Sequence, residues 1–495
     1  MKAAMASVAH IVVASARGAP ARRVDTVEAL PGLGLRGDRY SEKKSRRPAD
    51  EVTLIELENI EAFTQATGLP LTPEMPRRNI VTRGVRLNEL LGKRFTVGGA
   101  LLEGLELCEP CKLFAKRTHP EVLGFMAGKG GLRARIVARG TIRVGDPVEE
   151  DRPQRPRRIL VTGSAGHLGE ALVRTLRGAG HEVASLDIVA SSFTDEVASI
   201  TDRDTVRRLM KGVDAVLHAA SLHKPHMVTH TRQDFVDVNV SGTLVLLEEA
   251  AAAGVSTFVY TSTTSAFGHA LRPPAGAPAA WITEDQPSIP RNIYGVTKTA
   301  AEDLCEMFHR TNAMGCIVLR TSRFFPEEDD RRAIREGYHD DNAKANEYLY
   351  RRVDLADVVS AHLAALDRAA AIGFGRYIIS ATTPFTPDDL GDLRANAALV
   401  VERRVPGYEA EYGRRGWKMF PGIERVYVNE RARKDLGWSP RYDFAHVLDR
   451  LRAGEDPRSP LARAVGSKGY HDQPFETGPY PVERHEEDCT EDGRP

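Results

Sequence analysis

The chain lacks any uncharged apolar run near the ~20 residues that a membrane helix needs. It lacks a charge of one sign: 68 Lys and Arg face 68 Asp and Glu. That balance excludes a whole-chain basic field for nucleic acid, though not a local patch. Cysteine is scarce and odd in number, at Cys108, Cys111, Cys305, Cys316 and Cys489. In so long a chain this argues against a disulfide framework and for a reducing, cytoplasmic setting. Aromatics make up only 6%, but a 42% hydrophobic content supplies ample mass for buried cores and excludes a mostly disordered chain. The opening MKAAMASVAHIVVAS has a short apolar part that carries His10, so it reads as a strand rather than a signal peptide.

At roughly 150 residues per domain, 495 residues predict two or three units. The clearest seam, EEDRPQRPRR, is charged, holds two prolines and has no apolar period. It divides the chain into a first domain over 1–150, a linker over 151–157 and a second domain over 158–452. Residues 453–495 lose periodicity and become acidic, which predicts an irregular tail or wrapping arm. Before the seam, short β-rich runs (HIVVAS, EVTLIE, NIVTRGV, ARIVARG) surround one convincing helix, Leu57 to Thr67. This pattern predicts a mainly-β, barrel-like or sandwich domain. After it, strands ILVTG, EVASLDI, AVLHAAS, TFVYTST and CIVLRTS alternate with amphipathic helix-length segments. That alternation predicts an α/β domain, a doubly wound parallel sheet of the Rossmann type.

Between the first such strand and its helix lies Gly163-Ser164-Ala165-Gly166-His167-Leu168-Gly169. Gly163 permits a tight turn, Gly166 lets backbone approach a pyrophosphate, and Gly169 lets the helix pack close to the sheet. The helix N-terminus then offers free N–H groups to the anion. Asp187, at the end of EVASLDI, has the spacing of a carboxylate that bonds both ribose hydroxyls. Such a carboxylate repels a 2′-phosphate and favours NAD over NADP.

The Gly-x-x-Gly-x-x-Gly loop and Tyr294-Gly295-Val296-Thr297-Lys298 together resemble the extended short-chain dehydrogenase/reductase family, with its nucleotide-sugar epimerases and dehydratases. The motifs Asp214-Ala215-Val216-Leu217-His218-Ala219-Ala220, Asn239-Val240-Ser241-Gly242-Thr243 and Val353-Asp354-Leu355-Ala356-Asp357 follow in the family's order. The resemblance implies that Ala219 and Ala220 join the loop in binding the cofactor. It also implies that Tyr294 and Lys298 bind cofactor and catalyse, and that a dimer forms through the helices around them. Tyr294 and Lys298 are four apart and share a helix face. A phenol with a pKa near ~10 is a poor base at neutral pH. A nearby ammonium and an oxidised nicotinamide are expected to lower that value, so that Tyr294 can exchange a proton with a substrate hydroxyl. The family's Ser/Thr position falls on Thr263, within a run of hydroxyl residues from Thr261 to Ser265. Asn239 matches the Asn that steadies the active-site helix.

The chain departs from the family in places. Thr264-Ser265 stand where the 4,6-dehydratases carry Asp-Glu, so dehydration by that route is not expected. Glu347 stands where many members carry an Arg that grips a diphosphate, and 326–346 is acidic, which predicts a wall that repels a nucleotide sugar. Ser199 replaces an adenine-side Asp. Arg323 either binds a substrate anion or pairs with nearby acids.

In the first domain, Leu35-Arg36-Gly37-Asp38-Arg39-Tyr40, Arg77-Arg78-Asn79-Ile80, Leu91-Gly92-Lys93-Arg94-Phe95 and Cys108-Glu109-Pro110-Cys111 together resemble the MOSC domain of molybdenum-cofactor sulfurases. The family's key cysteine maps to Cys111. A thiolate there can accept sulfur or ligate molybdenum, with Arg78, Asn79 and neighbouring cations (Arg77, Lys93, Arg94) around it. A half zinc site and a scaffold with an inert buried thiol are the alternatives, and His119 is a further candidate.

The reading is an NAD-dependent oxidoreductase or epimerase acting on a small sugar-like molecule, fused to a domain that binds molybdenum cofactor or carries sulfur. No nucleic-acid or membrane partner is expected. The rivals are a molybdenum-dependent reductase fed by the NAD domain and a sensor that binds NAD without turnover.

Overall fold

The computed structural model describes residues 6–150 (except 17, 40 and 42–46), 156–469 and 475. The chain divides into two compact units, Met1–Arg155 and Pro156–Pro495. Among the described residues, no helix is long and apolar enough to cross a membrane.

The first unit is built on an eight-stranded sheet and a three-stranded one. Of the longest strands, Ala100–Leu107 and Leu132–Ala138 alternate buried and more open positions, as strands with one covered face do, whereas Ser7–Val13 ends in three buried residues. Their inward residues, among them Ile11, Leu102 and Ala134, form one core. The helix Leu57–Thr67 forms as its periodicity predicts and buries Leu57, Ile60 and Phe63. Among the described residues the strand ladders run in an open order, and the isolated bridge Ser7–Pro147 joins the first strand to the loop before Val148–Glu150.

The second unit contains a seven-stranded, all-parallel sheet. Its strands are β1 (Arg158–Thr162), β2 (Glu182–Asp187), β3 (Glu196–Val197), β4 (Ala215–His218), β5 (Thr257–Thr263), β6 (Gly315–Thr321) and β7 (Phe374–Ile379). Their spatial order is 3-2-1-4-5-6-7, the doubly wound arrangement. β5 and β6 are buried at every residue, which explains their mainly apolar and small residues, and the one charge among them, Arg320, is paired with the buried Glu302 at 2.6 Å. The helices that position the site are α1 (His167–Gly178), α2 (Gly242–Ala252), α3 (Ile293–Asn312) and α4 (Leu355–Ile372). One core layer packs α1 and α4 against the sheet and another packs α2 and α3 against it.

The irregular tail is corrected in part. A short helix α5 (Pro460–Val465) follows Ser459, which is wholly buried and gives its N–H to the Asp354 carboxylate at 2.9 Å. Leu461, Ala462 and Val465 join the core beside α1 and α4. Of the residues beyond 469, only Phe475 is described, so the acidic run and Cys489 lie outside the described residues.

Candidate active site

Thr162, Asp187, His218 and Thr263 are the last residues of β1, β2, β4 and β5, so the sheet delivers all four to one edge. A cavity of about 1480 Å³ opens there. A single-ligand pocket has roughly 300–1,000 Å³, so this one has room for a dinucleotide and a second molecule.

Gly163 has φ of 77°, and a Cβ there would meet the backbone N of Ala220 at 2.7 Å. A Cβ at Gly169 would lie 1.9 Å from the Gly163 carbonyl oxygen, so only glycine lets α1 sit this close to the turn. α3 and α4 are capped by the side chains of Asn292 and Asp354, whereas Gly166 gives α1 no side-chain cap. The first N–H groups of α1 therefore face the cavity with no protein side chain capping them. Gly163, Ala165, Gly166, His167, Leu168 and Gly169 line the cavity, as do Ala219 and Ala220. Ser164 does not. It is buried, and its hydroxyl bonds that of Thr194 at 2.9 Å.

Asp187 lines the cavity and accepts the N–H groups of Ala165 and Val189, each at 2.9 Å. Beside it Ile188 is 68% and Val189 56% exposed, an apolar wall suited to the face of a base. These donors, the carboxylate and the apolar wall fit a dinucleotide. Replacing Asp187 with Ala should weaken NAD binding by about 10-fold and narrow the preference over NADP. Titration with both nucleotides checks this, and an unchanged ratio counts against the role.

Tyr294 is 7% and Lys298 2% exposed, one turn apart on α3, and both line the cavity. Thr263 shares a hydrogen bond with the Tyr294 hydroxyl. The neighbouring hydroxyls are engaged elsewhere: Thr261 bonds His362 at 2.8 Å and Ser262 bonds Glu302. In the protein without nicotinamide, the pKa of Tyr294 is raised rather than lowered. Burial pushes the phenol up to about 12, against the opposing Thr263 bond. The Lys298 ammonium donates to the Thr261 carbonyl at 2.6 Å and lies 4.2 Å from the Tyr260 ring centre. Burial brings Lys298 down to about 7, with Glu302 one turn on pulling the other way. The protein alone therefore does not acidify the phenol.

Asn239 sits in a π-helical segment, Val236–Ser241, and is fully engaged. It accepts the Leu222 N–H at 2.8 Å and donates to the Leu222 carbonyl at 3.0 Å and to the Thr297 hydroxyl at 3.1 Å. A hydrogen-bond relay joins this point to the glycine turn. Thr162 bonds His218 Nδ1 at 2.7 Å, His218 Nε2 bonds the Thr243 hydroxyl at 3.0 Å, and Thr243 donates to the Asn239 carbonyl at 2.7 Å. Burial holds His218 well below its ordinary pKa, so it stays neutral.

The acidic wall is also corrected. Asp329 pairs with Arg323 at 2.8 Å and Arg351 at 3.1 Å, and Asp330 with Lys224 at 2.8 Å. Glu347 is held by Arg351 at 2.7 Å and Arg352 at 2.8 Å. Despite the burial cost, the three nearby guanidiniums keep the Glu347 carboxyl well below the usual range. Of the described charged residues on the cavity wall, nine are Lys or Arg and four are Asp or Glu. Arg323 both pairs with acids and lines the cavity. The sequence reading missed His223, whose ring centre is 5.9 Å from that of Tyr294 on the same wall. Burial, with His226 and Lys298 adding, lowers His223 to about 3 and keeps it neutral.

Residues 159–379 match the model described as the NAD dependent epimerase/dehydratase family, and residues 42–149 match that of the MOSC domain. The chain carries a MOSC domain followed by an NAD dependent epimerase/dehydratase domain. A UDP-glucose 4-epimerase of Streptomyces lividans is 28% identical over 331 residues, 59% of this chain and 94% of that protein. A uronate dehydrogenase of Pseudomonas syringae pv. tomato is 29% identical over 185 residues, 36% of this chain and 63% of that protein. A solved short-chain dehydrogenase/reductase superfamily protein from Agrobacterium tumefaciens with bound NAD is 25% identical, with a TM-score of 0.45. It covers 62% of this chain and 97% of its own.

In the MOSC domain the sequence-expected residues do not converge. Cys111 is exposed and Cys108 buried, which corrects the inert buried thiol. The buried Arg78 guanidinium lies near both cysteines but donates to the carbonyls of Gly130 at 3.0 Å, Pro76 at 3.2 Å and Cys108 at 3.2 Å. Asn79 bonds Thr53 and Asp38, at 3.0 and 3.3 Å. Arg78 and Asn79 line a cavity of only about 70 Å³, which Cys111 does not reach. Lys93 and Arg94 pair with Glu150 and Glu103, and His119 bonds the Pro70 carbonyl. Among the described residues no group of three or more His, Cys, Asp or Glu could hold a metal. These residues do not form a site for a bare metal ion such as zinc, and they leave the exposed Cys111 thiol as the one soft ligand for a molybdenum cofactor.

Proposed function

We propose that the epimerase/dehydratase domain moves hydride between NAD and a hydroxyl or carbonyl carbon of an anionic, sugar-like substrate, in net oxidation, reduction or epimerisation. The observation that carries this is the Thr263–Tyr294 hydrogen bond on the wall of a cavity headed by the uncapped start of α1. The pairing of the nearby acids with Lys224, Arg323, Arg351 and Arg352 removes the ground for excluding nucleotide sugars. The two relatives named above act, by their names, on UDP-glucose and on a uronate, both anionic sugars.

NAD, when bound, supplies the hydride acceptor or donor. Asp187 would accept the ribose hydroxyls, and the α1 N–H groups would hold the pyrophosphate. Tyr294 would take the proton from the substrate hydroxyl in oxidation and return it in reduction, with Thr263 orienting the same oxygen. Lys298 is a candidate for both cofactor contact and catalysis. Asn239 fixes α3 through Thr297. Incubation with NAD and a panel of sugar acids and nucleotide sugars, read by the absorbance of reduced nicotinamide and by product stereochemistry, tests the reading. Binding without any turnover would favour the sensor.

For the MOSC domain we propose sulfur handling at the exposed Cys111 thiol rather than an enclosed metal centre. The described cysteines are free thiols, which supports a reducing, cytoplasmic setting. Purified chain and its Cys111→Ala variant should both lack molybdenum. Stoichiometric metal lost with the cysteine would instead support the cofactor and reopen the molybdenum-dependent reductase. The exposed Val296 and Met307 on α3 support pairing of two copies through that helix.

A further inference from the structure

The dinucleotide end of the cavity is crossed by a part of the chain that the sheet does not need. After α5 the backbone turns back over the start of α1. The Ser467 hydroxyl and the N–H groups of Lys468 and Gly469 all donate to one oxygen, Oε1 of Glu327, at 2.7, 3.0 and 3.2 Å. The same oxygen meets His167 Nε2 at 2.9 Å. The Lys468 ammonium pairs with Glu170. His167 and Glu170 lie in the first turn of α1, where a pyrophosphate would bind. Lys468, Gly469 and Phe475 line the cavity together with Gly163 and Gly166.

The segment is anchored upstream by the buried Ser459 and Val465. Glu327 itself is nearly buried, so its charge is held by these donors rather than by water. Burial alone would push its carboxyl up. The His167 bond and charge, with the Ser467 hydroxyl, outweigh that and bring it to about 2.

We propose that residues 467–469, gathered on Glu327, form a latch over the pyrophosphate end of the dinucleotide site and set the rate at which NAD leaves. The proposal rests on the reading of the cavity as an NAD site. A tether that spans from α5 to the first turn of α1 must open before a dinucleotide lying beneath it can escape, so breaking it acts on dissociation.

The test measures dissociation of the reduced nucleotide, NADH, by rapid dilution and its nicotinamide fluorescence, on the full chain, Glu327→Gln, Ser467→Ala and a chain ending at Gly466. Glu327→Gln and the shortened chain should release NADH at least 10-fold faster, and Ser467→Ala by a smaller factor. Bound NAD should also protect residues 467–469 of the full chain from protease. Dissociation within 2-fold of the parent in both stronger variants overturns the latch and leaves NAD binding standing. Tighter binding on shortening overturns it too, by showing a segment that excludes the cofactor. A parent chain that does not bind NAD at all overturns both readings. The melting temperature of each cofactor-free variant separates loss of the latch from loss of the fold.

Discussion

Replacing Tyr294 with Phe should cut hydride transfer by about 10³-fold while NAD still binds. The ring stays, so the packing with Leu222 and Phe235 is kept. Only the hydroxyl that Thr263 holds is removed. Turnover and nucleotide titration on one preparation separate the two effects, and activity within 10-fold of the parent would dismiss Tyr294 as the proton-transfer group. The same phenol gives a pH prediction. Its pKa in the folded protein is raised to about 12 by burial, so it is protonated through the neutral range. Oxidation needs the deprotonated form and should quicken as pH rises from about 6 to 9, while reduction, which uses the protonated form, should stay flat over that interval. An oxidation rate that falls over that interval would contradict the assignment.

Gly169→Val should weaken NAD binding by about 100-fold or more, because a displacement of about 1 Å in a positioning element costs about that much. The added Cβ would sit 1.9 Å from the Gly163 carbonyl oxygen, which is backbone and cannot swing away. Either α1 lifts from the turn or the turn itself moves, and both spoil the donors at Gly166 and beyond. Far-ultraviolet circular dichroism should show the sheet retained. Affinity equal to the parent would mean that the turn is not the anchor of the dinucleotide.

The glycine turn, Asp187 and the Tyr294–Lys298 pair were legible because each depends on local spacing: a positive φ, a strand end, one turn of helix. Thr263 was legible as a position but not as a choice among five adjacent hydroxyl residues. The partners of its neighbours, His362 and Glu302, come from other elements and decide it. The charge of the substrate end was misread for the same reason. The carboxylates of 326–346 are adjacent in sequence, but Lys224 reaches Asp330 across 106 residues. Arg351 and Arg352 close on Glu347 from the following turn. Composition showed acids, and the fold spends them. The stretch 457–469 reads as part of an irregular tail, since its order comes from Asp354 and Glu327, 105 and more than 100 residues away. In the first domain, neighbours in the motif (Arg78, Asn79) do share a cavity, but Cys111 lies outside it.

The relay from Thr162 through His218 and Thr243 to Asn239 has a directional sense. Thr243 gives its proton to the Asn239 carbonyl, so it must receive one from His218 Nε2. His218 Nδ1 is then left to accept from Thr162, whose oxygen in turn takes the Ala220 N–H at 3.2 Å. Every proton along this wire has one available place, and the imidazole stays neutral across the working pH range. The strand that bears the glycine turn and the helix that bears the phenol are thus keyed to each other by polarity as well as by packing. A change at Thr243, which touches neither ligand, would loosen both grips at once.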